Sequence, residues 1–293
     1  MSNPYKTREG GATVTVFVPY DCGNNCPFCI NKQEYSNTEG FSCESICRSI
    51  KRLDSITPQC DFVFTGGEPL ADLESLQKML DCVPSTHRVF INTTLPVMKN
   101  HTQQEVVDFL NRNADKVTCI NVSRHIRKYV VEGSDSIFSE IKVPLRINCV
   151  LFGTFTEEQL SGFVDRFRGI GLPIQFRSDY TKTTPENLYD ETDDNIYHTL
   201  DRLYGLREAS GCRIRCNYSF GDGKPDISYH KTLPYSTMVE KDGDQEYDIL
   251  YDIIIKQNGD VHSDWTGTPL DIDKYAGVVF EPYDLHDFVS PQR

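Results

Sequence analysis

From residue 12 to about residue 181, two periodicities alternate along the chain. Short apolar runs rich in β-branched and aromatic residues read as strands over 12–20, 61–65, 88–94, 117–123, 145–152 and 174–179. Between them, apolar residues recur at helical spacing. Ile46, Ile50 and Leu53 mark a helix over 42–55, and Leu76, Met79 and Leu80 mark one that Asp72 caps and that runs through Cys82. Val106, Val107, Phe109 and Leu110 predict a helix over 104–115. A short one is expected near 134–141, and Thr156-Glu-Glu-Gln starts another that ends near Gly169 and Gly171.

Six strand–helix units in series predict an α/β fold in which a parallel sheet is covered by helices on its outer side, a partial (β/α)6 TIM-like barrel. After Thr181 the pattern changes. A break at Thr183-Thr184-Pro185 precedes a long helix expected over 187–209 and closed by Gly211. Residues 212–240 read as irregular, and 247–265 as a hairpin turning at Gln257-Asn258-Gly259. The expected organisation is a barrel core over 12–181 and a small α+β extension over 182–293 that caps it.

Two loops stand at the C-terminal ends of the first two predicted strands, where parallel barrels place their sites. The first is Cys22-Gly-Asn-Asn-Cys26-Pro-Phe28-Cys29. Three thiolates so close in sequence can converge on one metal centre, and three suit a 4Fe–4S cube with one iron left open. Structural zinc takes four protein ligands, and the fourth would have to come from a distant cysteine or histidine. The second loop is Gly66-Gly67-Glu68-Pro69, after the strand 62–65.

The C-x3-C-x2-C spacing, with an aromatic residue before the last cysteine, resembles the signature of the radical S-adenosylmethionine (SAM) enzymes. Gly66-Gly67-Glu68-Pro69 resembles the motif that holds the SAM amino group in that family. The resemblance implies that Cys22, Cys26 and Cys29 bind one 4Fe–4S cluster. It implies that SAM binds the open iron and is cleaved to a 5′-deoxyadenosyl radical that abstracts a substrate hydrogen. It also implies an electron donor such as flavodoxin or ferredoxin. Asn92-Thr93-Thr94 is similar to the family's Thr-Asn-Gly strand ending but lacks the glycine, and Ser123 matches a polar strand end that binds the SAM ribose or carboxylate. The 247–265 hairpin resembles SPASM/twitch-type extensions that carry auxiliary clusters. No cysteine follows Cys216, so no auxiliary cluster is expected.

Alternation in a barrel strand sends every second residue into the lumen. Arg146 and Asn148, and likewise Gln175 and Arg177, are therefore expected there. Phe28, Gly66, Gly67, Glu68 and Pro69 are candidate cofactor contacts, together with Asn92, Ser123, Asn148 and Arg177. Arg124 and His125 open the densest basic patch, with Arg127 and Lys128, and could bind an anion or form a solvated loop. They, Arg146 and Trp265 are the candidate substrate contacts.

A net charge of −13 excludes a broad nucleic-acid-gripping surface but not a local basic pocket. No apolar run approaches the roughly 20 residues that span a bilayer, and 38% hydrophobic residues allow a sizeable core. No apolar signal segment opens the chain, so a cytoplasmic location is the expectation. Cys43, Cys47, Cys60, Cys82, Cys119 and Cys149 sit singly in apolar patterns and read as small buried residues. The expected substrate is a small anionic metabolite or nucleotide. Modification of a peptide or protein side chain is the alternative, and a non-catalytic metal-binding module is the reading from another class.

Overall fold

The structure is a computed structural model that describes residues 3–8, 10–18, 22–29, 40–96, 99–129, 131–233, 237–263 and 269–279. Six parallel strands form the body of the large sheet: β2 (Thr13–Val18), β3 (Asp61–Gly66), β4 (Arg88–Thr93), β5 (Cys119–Ser123), β6 (Leu145–Leu151) and β7 (Ile174–Ser178). They lie side by side in sequence order. Among the described residues, four helices alternate with them: α1 (Cys43–Asp54), α2 (Leu73–Asp81), α3 (Gln103–Arg112) and α4 (Glu157–Arg168). A 3-10 segment, Asp135–Glu140, stands where the short helix was expected. Thr102 and Thr156 close capping boxes and Asp72 caps α2, so local side chains satisfy the free N–H groups that start each helix.

The apolar set of each strand, such as Val14, Val16 and Val18 or Phe62 and Phe64, faces the helices and is fully buried. Ile46, Ile50 and Leu53 of α1 and Leu160, Val164 and Phe167 of α4 belong to the same core. The other face is mixed: Thr15, Thr65, Asn92, Asn121, Asn148 and Gln175 stand there with Phe17, Val63, Phe90 and Val150. This two-layer arrangement is the partial TIM-like barrel expected from the alternating pattern.

The C-terminal part departs from expectation. The long helix over 187–209 is replaced by α5 (Asn195–Tyr204), followed by β8 (Leu206–Cys212). Asp194 caps α5 at its start, and Gly205, at φ 77°, ends it in a conformation that residues with a side chain rarely adopt. The segment read as irregular holds β9 (Arg215–Phe220), β10 (Ile227–Thr232) and β11 (Thr237–Asp242). β10 pairs parallel with β7, and β9 and β8 continue the sheet antiparallel.

The expected hairpin is split. Its first strand breaks at Tyr251 into β12 (Gln245–Leu250) and β13 (Asp252–Ile255), which lie in different sheets. β13 pairs parallel with β2 and antiparallel with β14 (Val261–His262). The turn between them packs on α1: Gln257 O accepts from Ser42 N at 2.9 Å, and Gly259 lies so close that a Cβ would meet Ser45 at 2.5 Å. A second sheet, in the order β11-β12-β1-β15, includes β1 (Tyr5–Arg8), which the sequence pattern did not reveal, and β15 (Tyr275–Val279).

The large sheet curls until its far strands approach each other. Arg215 of β9 forms an ion pair with Asp252 of β13 and donates to Thr13 Oγ1 of β2 at 3.3 Å. Strands from the C-terminal part thus extend the barrel sheet at both ends, and the boundary expected at 181/182 falls in the 3-10 turn Tyr180–Lys182. Cys47 of α1 and Cys82 after α2, read as separate buried residues, form a disulfide.

Candidate active site

The three cysteines lie in the loop after β2, each half-buried. Cys29 N donates to Cys26 O at 3.2 Å and closes a turn between them. Asn24 ties the loop to its surroundings: its Oδ1 accepts from Val131 N at 2.6 Å and its Nδ2 donates to Thr94 Oγ1 at 3.5 Å. Phe28 seats the loop in an aromatic nest with His125 (ring centroids 4.8 Å apart), Tyr129 (5.5 Å) and Phe152 (5.6 Å). Burial raises the Cys22 thiol, against hydrogen bonds to Asn24 that lower it. The donor set fits a cube: three thiols on one short loop can meet separate irons, whereas a single ion would need them drawn to one point. Among the described residues, no three metal-ligating side chains converge on a single ion position.

Beside this loop, β3 ends in Gly66-Gly67-Glu68-Pro69. Gly66 adopts φ 123°, and a Cβ there would lie 2.0 Å from Val18 O. The position requires glycine for both reasons. Gly67 N donates to the same Val18 O at 2.8 Å, joining the two loops at their root. Glu68 is buried and turned into the protein. Its Oε1 accepts from Leu70 N (3.2 Å) and Thr93 Oγ1 (2.5 Å), and its Oε2 accepts from Thr94 N and Thr94 Oγ1 (3.1 Å each). Burial raises its pKa while these four donors lower it. A carboxylate offers about four acceptor positions, and these donors occupy them. Glu68 therefore fastens the β3 loop to the end of β4, and Pro69 starts the 3-10 turn that follows.

Asn92 and Arg146 meet through Asn121. Asn121 Nδ2 donates to Asn92 Oδ1 at 2.8 Å, and Arg146 donates to Asn121 Oδ1 at 3.1 and 2.7 Å. Ser123 and Asn148 are register partners on β5 and β6, and Gln175 is the next on β7. Arg177 lies further along β7. It is ringed by protein and yet exposed, as a side chain in an open lumen is. Alternation thus brought Arg146, Asn148, Gln175 and Arg177 to one face, as expected.

Arg124 and His125 do not form a basic patch at the barrel mouth. Arg124 follows a lumen residue and so turns outward. It is fully buried, stacks over Phe138, lies 3.9 Å from Glu132 and 3.7 Å from Asp135, and donates to Thr94 O at 2.6 Å. His125 backs Phe28, and its Nδ1 accepts from Val150 N at 3.2 Å. Burial lowers its pKa to about 4, so the ring is neutral near pH 7. Trp265 lies outside the described residues. Sequence reading missed Thr93 and Thr94 as the anchors of Glu68. It also missed Arg215 and His230, whose lumen positions depend on strands it did not foresee, and Asp252, whose strand was expected but not its pairing with β2.

Residues 9–123 match the family described as a 4Fe-4S single cluster domain. No curated protein sequence matches the chain. Among solved structures, SuiB of Streptococcus suis bound to S-adenosylmethionine is 15% identical with a TM-score of 0.56, over 88% of this chain and 63% of that one. SuiB bound to its precursor peptide SuiA gives 14% and 0.55, over 88% and 62%. Native anSMEcpe with bound AdoMet is 18% identical over 65% of this chain and 61% of that one, with a TM-score of 0.44. The chain spans about three fifths of the length of these structures. The paired motifs, the matched domain and the barrel agree on one class: the chain has the radical SAM fold. Its N-terminal part is similar to a 4Fe–4S single cluster domain.

Proposed function

We propose that the protein is a radical SAM enzyme that removes a hydrogen atom from an anionic substrate held in the barrel lumen. The observation that carries this reading is the joint root of the two loops. Gly66 and Gly67 close on Val18 at the end of β2, and Asn24, in the loop that carries Cys22, Cys26 and Cys29, reaches Thr94 at the end of β4. When bound, the cluster and SAM supply a carbon-centred radical. The chain's own part is to hold and enclose. The cysteine loop is braced by Phe28 and Asn24, and Glu68 locks the neighbouring loop to β4. Such bracing fixes reacting atoms in place. No side-chain acid or base is needed to break a carbon–hydrogen bond in this way. The electron donor is proposed to be a flavodoxin or ferredoxin.

The test is anaerobic purification, an iron and sulfide count, and addition of dithionite and SAM with detection of 5′-deoxyadenosine by mass spectrometry. About four irons per chain are expected, with SAM cleavage abolished in Cys26→Ala. Zinc in place of iron, or no cleavage with any reductant, would move the protein to a metal-binding module without catalysis.

A second reading is modification of a peptide side chain, favoured by the fold shared with SuiB, solved with its precursor peptide. An acidic peptide and a small anionic metabolite both satisfy a basic lumen. Deuterium-labelled candidates of each kind separate the two by the label recovered in 5′-deoxyadenosine.

A further inference from the structure

One side of the lumen is formed by β6, β7, β10 and β9. Register places Arg177 opposite Val150 of β6 and His230 of β10, and His230 opposite Asn217 of β9. Adjacent strands are ~4.8 Å apart, so Arg177, His230 and Asn217 form one row on the lumen face. Asn148 stands diagonally below Arg177, and Arg146 two residues before Asn148. The opposite faces of these strands, Phe176, Tyr229 and Tyr218 among them, are buried in the core, which leaves the polar set nowhere but the lumen.

The charges in this chamber do not cancel. Arg146, Arg177 and Arg215 are close enough to act on His230, whose pKa burial lowers first and the three arginines lower further, to about 3. The imidazole is therefore neutral, and Gln175 Nε2 lies 2.9 Å from its Nδ1. Asp252 answers Arg215. Arg146 donates to the neutral Asn121. Asp226 and Asp61, the other carboxylates that act on Arg146, are held by Arg207 and by Arg88, the latter at 2.7 and 3.0 Å. Among the described residues Arg177 has neither a hydrogen bond nor an ion pair. Two guanidinium charges that face the lumen are thus left without an anion.

Acceptors are unmet in the same wall. Asn148 is 9% exposed, and its buried Oδ1 has no hydrogen-bond partner; Asn217 Oδ1 is in the same state. Free donors at Arg177 and free acceptors at Asn148 and Asn217 together describe a ligand with an anionic group and an O–H or N–H beside it.

We propose that Arg177, with Arg146 below it, holds an anionic head group of the substrate, a carboxylate or a phosphate, whose neighbouring hydroxyl or amine donates to Asn148 and Asn217. This deepens the reading above and rests on it. A planar guanidinium with a free edge suits bidentate binding of either anion.

The test is thermal unfolding of the anaerobic, cluster-loaded protein titrated with malonate, with tartronate (malonate bearing one hydroxyl) and with inorganic phosphate, at constant ionic strength. At least one anion is expected to raise the melting temperature saturably. If carboxylates bind, tartronate is expected to bind tighter than malonate. Saturation by malonate and tartronate assigns a carboxylate head group, and saturation by phosphate alone a phosphate. Arg177→Gln is expected to weaken the bound anion roughly tenfold or more. Arg177→Lys, which keeps the charge but not the fork, should fall between, and Arg202→Gln on the surface should titrate as the parent does. No saturable response to any of the three anions, or an unchanged titration in a folded Arg177→Gln, overturns the proposal. SAM cleavage is read on the same preparation. Cleavage without anion binding overturns this inference and leaves the enzyme reading intact, and anion binding without cleavage does the reverse.

Discussion

On the β3–β4 side of the lumen, Glu68 accepts four hydrogen bonds from its own chain; four strands along, Arg177 makes none among the described residues. Both are ionisable groups in one barrel. Around Glu68 the protein supplies every donor, and Gly66 allows the backbones to touch, so this side is built to stay still. Around Arg177 the protein leaves donors and acceptors unmet. The contrast separates a wall that positions from a wall that receives. Satisfied buried polar groups stabilise a fold, whereas unsatisfied ones persist where a ligand completes them.

Four measurements can break or sharpen this contrast. The largest effect is expected for Gly66→Ala. It combines a positive φ with a Cβ 2.0 Å from Val18 O, and should destabilise the fold by ~3 kcal/mol, read as a lower urea midpoint at unchanged slope. Glu68→Gln comes next. It sets an amide donor against the donors of Thr93 or Thr94 and should cost about 2 kcal/mol by the same measurement. A cost below the noise would mean that the positioning wall is not held by its carboxylate.

The third is a pH effect. His125 and His230 titrate at about 4 and about 3 in the folded protein, below the ordinary 6.5. The unfolded chain therefore takes up their protons first. Stability should fall as pH drops below 6.5, by up to ~1.4 kcal/mol per unit for each group. His230→Asn should flatten part of that decline, most visibly between pH 6.5 and 5. A curve identical to that of the parent would place His230 in contact with water. The smallest effect belongs to Arg177→Gln. With no partner to lose, it should change stability by less than ~0.5 kcal/mol or raise it slightly. A large loss would show that the receiving wall is structural after all.

The parts of the fold legible in the sequence were those decided by nearby residues. Asp72 and Thr156 mark helix starts because each caps an N–H group three positions on, whereas the cap at Thr102, two residues before the expected start, went unread. The lumen face of β6 and β7 followed from simple alternation. What depended on distant pairing was hidden. Leu206–Cys212 continues a helical pattern in its residue types, and only the turn at Gly205 and pairing with β9 make it a strand. The apolar run after Tyr247 looked like one strand because nothing in it announces that Tyr251 hands the chain from one sheet to the other. The cysteine and Gly-Gly-Glu-Pro loops were legible as motifs, but the inward turn of Glu68 was not, since its partners lie on the next strand. Arg124 misled for a simple reason: one residue past Ser123, alternation already points it away from the lumen.

The pairing of β2 with β13 has a consequence for synthesis. Thr13 and Asp252 are register partners, so the first barrel strand leaves the ribosome long before its outer neighbour exists. Until residue 255 has emerged, that edge of β2 has no partner strand, and open edges recruit strands from other chains. The nascent protein therefore carries an open β2 edge for most of the time it takes to be made.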